Sequence, residues 1–306
     1  MKKWQANIGL LIVAMIWGGS FLATDNMLEF LNPLNLQVYR NLLGSILLII
    51  IFFKKFRTVT KKTVLIGLLF GLLFLVSNTV QAIGLQYTTV SKNAFLTANY
   101  VIFIPLITLI FFKQIPTKYV IIGLMLMMLG YFYIIFEIDV FNINSYTSLK
   151  TQIKFNIGDL LTILSAFLFA LHIIVVNHFI KDQDPIQVLI FQLLSAAVLG
   201  LIYMLIFKVD LQLEQFKYTN EFIFSLLYMV VLSSILCFGG QLVFQKYTDS
   251  ASAGILMSLE SAFASIFAVL LGYDNFYTGL LLGGILVISG VITAETNLSF
   301  IFNKKS

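Results

Sequence analysis

Apolar residues run through this chain in long continuous blocks, broken by short polar links and showing no period-two alternation. Ten blocks are long enough to form bilayer-crossing helices, at about 6–24, 36–53, 64–86, 91–112, 117–136, 157–179, 185–207, 222–244, 250–271 and 276–294. Continuous apolarity favours helices over a β-barrel, whose strands alternate. The links are too short to hold a soluble catalytic domain, and they make consecutive spans antiparallel neighbours. The longest, about 137–156, is polar and reads as a linker, and a second outside loop spans about 208–221.

The second half repeats the first. Trp17, Pro33 and Tyr39 recur as Phe169, Pro185 and Phe191, each 152 residues on. Gln81, Tyr87-Thr88, Gly123 and Gly130 recur as Gln241, Tyr247-Thr248, Gly283 and Gly290, each 160 on. The change of offset places a net insertion of eight residues between 192 and 241, which the link at 208–221 accounts for. Each copy holds five spans, an odd number, so the second copy enters from the opposite side. The expected fold is an all-α polytopic membrane protein of ten transmembrane helices in two inverted five-helix repeats, at 6–136 and 157–294. Residues 137–156 form an outside linker and 295–306 a cytoplasmic tail. Secondary transporters are often built this way, with a midplane site between the repeats.

Composition agrees with a bilayer as solvent: 59% hydrophobic, 11% charged, and a mean hydropathy of +0.97. The opening Met1-Lys2-Lys3 and the apolar run after it resemble a signal peptide, but nine further runs favour an uncleaved first helix. The net charge of +5 follows topology rather than a nucleic-acid surface. With the N-terminus inside, 13 of 19 basic residues fall on cytoplasmic segments, with Lys54, Lys55, Arg57, Lys61 and Lys62 as the strongest cluster. That bias puts both termini in the cytoplasm of a multi-pass cell-membrane protein. The single Cys237 excludes an intramolecular disulfide.

Polar residues inside the spans are the candidate chemistry. Glu260 lies near the middle of span nine, where an ionised carboxylate costs at least a few kcal/mol, a cost lessened by taking a proton. It is either a coupling or substrate-binding carboxylate, or a structural acid hydrogen-bonded to a neighbouring helix. Arg40 in span two either binds an anionic group or snorkels to the outer interface. Lys92, at the mouth of span four, reads as interfacial. Asn78 and Gln81 in span three, Asn93, Thr97 and Tyr100 in span four, and Gln192 and Gln241 in the second repeat need partners in hydrocarbon. They face the cavity or act as interhelical glue. Pro105 opens a backbone gap in span four. Trp17 lines the cavity or packs, and His172 is a proton relay or a structural histidine. His172 and His178 make a poor metal site, and no cofactor motif is present. Gly123, Gly130, Gly283 and Gly290, seven apart in spans five and ten, mark helix packing or a dimer surface. Gly254, Ser258, Ser261 and Ser265 form a small-residue packing stripe.

In order along the chain, these segments resemble one family. They are Trp17-Gly18-Gly19-Ser20-Phe21, the Pro33 to Arg40 spacing, Ala82 to Thr88 with Ala94 beyond, and Ser258-Leu259-Glu260 followed by Gly283 and Gly290. The resemblance is to the EamA family of the drug/metabolite transporter superfamily. It implies spans one to four and six to nine around a central cavity, alternating access, and spans five and ten at the periphery. Two positions depart from the pattern. Ser261 replaces a frequent proline, which argues against a kink there, and span nine ends at Asp274 without the usual Gly-Glu. The implied function is secondary active transport of a small metabolite, amino acid or drug-like solute, in the export direction, with proton coupling through Glu260 as an option. Its partners are a small-molecule substrate and the lipid bilayer, with a homodimer as an option. No P-loop is present, so ATP is not hydrolysed by this chain. A flippase for a lipid-linked substrate is the alternative of similar architecture. A polytopic transferase fits poorly, because the acidic residues are scattered.

Overall fold

The computed structural model describes residues 1–135, 156–212 and 219–296. Nearly all of the 137–156 linker, the tail beyond 296 and part of the 208–221 link lie outside the described residues. The first half comprises α1 (Lys3–Leu28), α2 (Pro33–Ile51), α3 (Phe53–Arg57), α4 (Lys61–Leu85), α5 (Val90–Thr97), α6 (Tyr100–Phe112) and α7 (Lys118–Ile135). The second comprises α8 (Ile157–Phe179), α9 (Pro185–Phe207), α10 (Asn220–Leu227), a π-helical stretch at Tyr228–Cys237, α11 (Phe238–Gln245), α12 (Ser250–Met257), α13 (Glu260–Leu270) and α14 (Thr278–Thr296). Among the described residues, eight helical stretches are long and apolar enough to cross a membrane. In that set α5–α6, α10 to α11 and α12–α13 each count as one, while α7 and α14 are shorter apolar helices. The chain is a multi-pass membrane protein.

Local sequence starts these helices. Asn32, Thr60, Thr89, Asn156, Asp184, Thr219 and Asp249 each cap a helix N-terminus, accepting a hydrogen bond from a backbone N–H in the first turn. Such a cap contributes about 1 kcal/mol. Capping recurs with the repeat: Thr89 and Asp249 are 160 apart, Asn32 and Asp184 are 152 apart. Outward faces carry large apolar side chains such as Ile50, Ile110, Phe111, Leu205 and Leu270, a surface suited to lipid rather than water.

Consecutive spans touch one another, but their main packing partners lie elsewhere. The two halves interlock instead: α4 packs on α8 and α9, and the π stretch packs on α1 and α2. Likewise α1 lies against α13 as α6 lies against α8. Each half therefore supplies the apolar faces that the other half needs.

The paired glycines are spent within the chain. A Cβ on Gly123 would meet the Gly290 carbonyl oxygen at 2.5 Å, and one on Gly130 would meet that of Gly283 at 2.6 Å. Gly123 faces Gly290 while Gly130 faces Gly283, so α7 and α14 run antiparallel at backbone contact. That contact occupies the glycine face the sequence also offered for a dimer.

Two helices are broken at matching places. The α5–α6 span turns at Ala98–Asn99 and the α12–α13 span at Ser258–Leu259, again 160 residues apart. Ser261 in place of proline argued against a kink, yet the break exists. It needs no proline: the Ser258 hydroxyl donates to Ile255 O at 2.7 Å and that of Ser261 to Ser258 O at 2.8 Å. Asn99 Nδ2 does similar work in the first copy, donating to Phe95 O and Leu96 O. Pro105 sits inside α6, which continues past it, so the gap opens upstream of the proline instead.

Candidate functional site

The broken helices deliver Tyr100 and Glu260 to a cavity of about 50 Å³ between the two halves. That is room for a few waters. Trp17 comes from α1, Arg40 from α2, and Asn78 and Gln81 from α4. Asn93 and Thr97 come from α5, His172 from α8 and Gln241 from α11. Ten of the eleven cavity candidates read from the sequence therefore share one site. The eleventh, Gln192, is fully buried beside His172 but does not line the cavity.

Arg40 does not snorkel to an interface. It is 3% exposed, and its Nε donates to Ser234 Oγ at 3.0 Å while Nη2 reaches Ser233 Oγ at 3.4 Å. Its guanidinium carbon also lies 5.5 Å from the centre of the Phe74 ring. Both hydroxyls belong to the π-helical stretch, a helix form that often marks functional positions. Among the described residues no carboxylate forms an ion pair with Arg40.

The amides are tied down through their nitrogens. Asn78 Nδ2 donates to Phe74 O at 2.9 Å, and Gln81 Nε2 to Thr97 Oγ1 at 3.0 Å. Asn93 Nδ2 donates to Thr162 Oγ1 at 2.9 Å and to Gln81 O at 3.3 Å. The oxygens Asn93 Oδ1 and Gln241 Oε1 are buried without a hydrogen-bond partner, as are the donor Trp17 Nε1 and the ring nitrogen His172 Nε2. Trp17 packs on Phe238 at 4.7 Å, and Phe238 meets Phe74 edge-on at 4.4 Å, forming the aromatic wall. Tyr100 Oη faces Glu260 without a hydrogen bond of ordinary geometry. Tyr131 of α7 lies beyond, beside Ser258 and Ser261.

Ser20, Thr24 and Ser233 also line the cavity, and sequence reasoning passed over them. The repeat carried a signal for Ser20, which stands 152 residues before His172. Most of the lining falls into such pairs: Trp17 with Phe169, Phe21 with Ile173, Asn78 with Phe238, Gln81 with Gln241, Thr97 with Met257, and Tyr100 with Glu260. At one end the pairing fails. Thr24, Leu85 and Asn93 line the cavity, but their counterparts Val176, Gln245 and Ala253 do not. The end holding those counterparts is sealed by hydrogen bonds from Gln245 Nε2 to Ile173 O and from Asn177 Nδ2 to Gln245 O and Thr248 O.

Lys92 is more than interfacial, since its Nζ pairs with the buried Asp159 carboxylate at 2.9 Å. Among the described residues no cluster of three metal-ligating side chains occurs.

A lipid-facing helical bundle enclosing a polar cavity between two repeated halves defines a membrane transporter. The model of the EamA-like transporter family matches residues 4–136 and 156–295, and the chain belongs to that family. It is similar to two uncharacterized transporters of Archaeoglobus fulgidus. One is 25% identical over 269 residues, covering 88% of this chain and 79% of the relative. The other is 27% identical over 294 residues, covering 94% and 96%. The fold resembles a solved structure titled "Crystal structure of protein", with a TM-score of 0.74 at 13% identity, covering 97% of this chain and 98% of that one.

Proposed function

We propose that the protein is a secondary carrier that moves a small solute by alternating access, with ten membrane spans in two inverted five-helix repeats. The observation that carries this reading is the cavity between the halves, lined by sequence-equivalent residues yet reaching further towards one end than the other. The antiparallel crossing of α7 and α14 supports inversion, because equivalent helices in inverted repeats run in opposite directions. Exchanging the conformations of the two halves would open the end now sealed around Gln245. At 50 Å³ the cavity is too tight for most metabolites, which fits a narrowed state that widens as the halves move.

Glu260 is the group assigned to coupling. It lies at a helix break and lines the cavity. The distribution of Lys and Arg supports cytoplasmic termini in the cell membrane. The family resemblance favours export.

The test is transport by full-length protein in proteoliposomes, using a panel of amino acids, sugars, nucleosides and cationic drugs with and without an imposed proton gradient. Gradient-dependent movement of one class supports the reading. Failure with every solute, alongside turnover of a lipid-linked precursor, replaces it with a flippase.

A further inference from the structure

We infer that the transported solute carries a carboxylate and that Arg40 binds it. This rests on the carrier reading above and deepens it. Arg40 is buried on the cavity wall, where a guanidinium without a counter-charge is costly to hold. Both of its hydrogen bonds go to neutral serine hydroxyls, Ser233 and Ser234. Two of its five donors are thus used, and they fix the plane of the fork while leaving the rest of its face to the cavity.

The charges on the wall set the class of anion. Arg40 is the cavity's one cation and Glu260 its one carboxyl among the described lining residues. A phosphate dianion would need a second cation and would crowd Glu260. A monoanion matches the charge, and a carboxylate also matches the planar, two-pronged guanidinium. Elsewhere on the same wall, Trp17 Nε1 is a buried donor without a partner, suited to a further acceptor oxygen. Of the other unpartnered groups on the wall, which include Tyr100 Oη and His172 Nε2, Asn93 Oδ1 and Gln241 Oε1 are acceptors and would suit a donor elsewhere on the solute.

The test uses matched probes that differ only in charge: propionate with propionamide, alanine with alaninamide, and inorganic phosphate. Purified full-length protein in nanodiscs is read by the ligand-induced shift in thermal midpoint, and transport is read in proteoliposomes. We expect at least one carboxylate to stabilise the protein and its amide not to. Arg40→Gln should cut that preference tenfold or more while keeping the monodisperse elution profile, and Arg40→Lys should restore part of it. An amide that stabilises as well as its acid, stronger stabilisation by phosphate, or no stabilisation by either carboxylate overturns the inference. A preference unchanged in Arg40→Gln also overturns it. Movement of an uncharged solute by the Arg40→Gln protein at wild-type rate would sink the carboxylate reading alone, leaving the carrier intact. Absence of transport in every arm would sink the carrier reading instead.

Discussion

Tyr100 and Glu260 occupy equivalent places, 160 residues apart, and their side chains face one another in the cavity. Each opens the second half of a helix broken two residues earlier. The backbone breaks are shared by both repeats, but the chemistry is not. One copy presents a phenol and the other a carboxyl, so the symmetry that supplies the moving parts also leaves a single acid at their meeting point.

Glu260→Gln keeps the size and hydrogen-bonding capacity of the side chain but removes its proton exchange. Gradient-driven transport should fall at least tenfold, while solute exchange at equal pH on both sides persists. Tyr100 of α6, Tyr131 of α7 and Cys237 of the π stretch are the titratable neighbours of Glu260. Tyr100→Phe should therefore shift the pH profile without abolishing transport. Proteoliposome flux against an imposed pH step reads both variants, and an unchanged gradient dependence in Glu260→Gln would rule out coupling through this residue.

The spans and the candidate residues were largely legible because hydrocarbon penalises unsatisfied polar groups. A polar side chain in an apolar run must face a partner or a cavity, which marks Arg40, Asn78 and Glu260 without any structure. Helix breaks were less legible. Proline is the familiar signal, but Pro105 lies within a continuing helix and the break at Ser258–Leu259 has no proline at all. Serine and asparagine side chains stabilise these breaks through local hydrogen bonds that no periodicity reveals. Neighbours were illegible too, since short links say which helices are adjacent in sequence and not that α4 packs on α8 and α9.

Adjacent glycines in α14 should behave in opposite ways. Gly283→Ala would place a Cβ 2.6 Å from the Gly130 carbonyl oxygen, backbone that cannot yield without parting α7 from α14. A loss of about 1–3 kcal/mol is expected from such overpacking. Gly284→Ala meets nothing within 4 Å and should stay within about 0.5 kcal/mol of wild type. Thermal unfolding in one detergent compares them, and equal losses would show that the close crossing is not a stability determinant.

Asp184, in the link before α9, combines a cap with an ion pair. Its burial raises the carboxyl pKa, but Lys55 and the backbone N–H groups of Ile186 and Gln187 together outweigh that and hold it below the ordinary 3.8. A lowered folded value means the stabilisation is complete above 3.8 and is lost as pH falls through the lower value. Asp184→Asn keeps the cap acceptor and should flatten that acid limb. Asp184→Ala loses the cap as well, costing about 1 kcal/mol at neutral pH. Midpoints measured from pH 7 down to 3 separate the two, and a slope unchanged in Asp184→Asn would remove this carboxylate from the acid response.

Unequal reach of the cavity predicts which positions each face of the membrane can see. Thr24 and Leu85 line the cavity, whereas their counterparts Val176 and Gln245 do not. Val176 is fully buried. In a Cys237→Ser background, Leu85→Cys should react with an impermeant thiol reagent added to the outer face, and Val176→Cys should react only from the inner face. If the halves exchange conformations, solute that drives one position into protection should expose the other, changing the two labelling rates in opposite directions by several-fold. Two positions labelled from the same face, or rates that rise and fall together, would be incompatible with an inverted pair of gates. Opposed rates would tie the 152- and 160-residue offsets in the sequence directly to the two sides of the membrane.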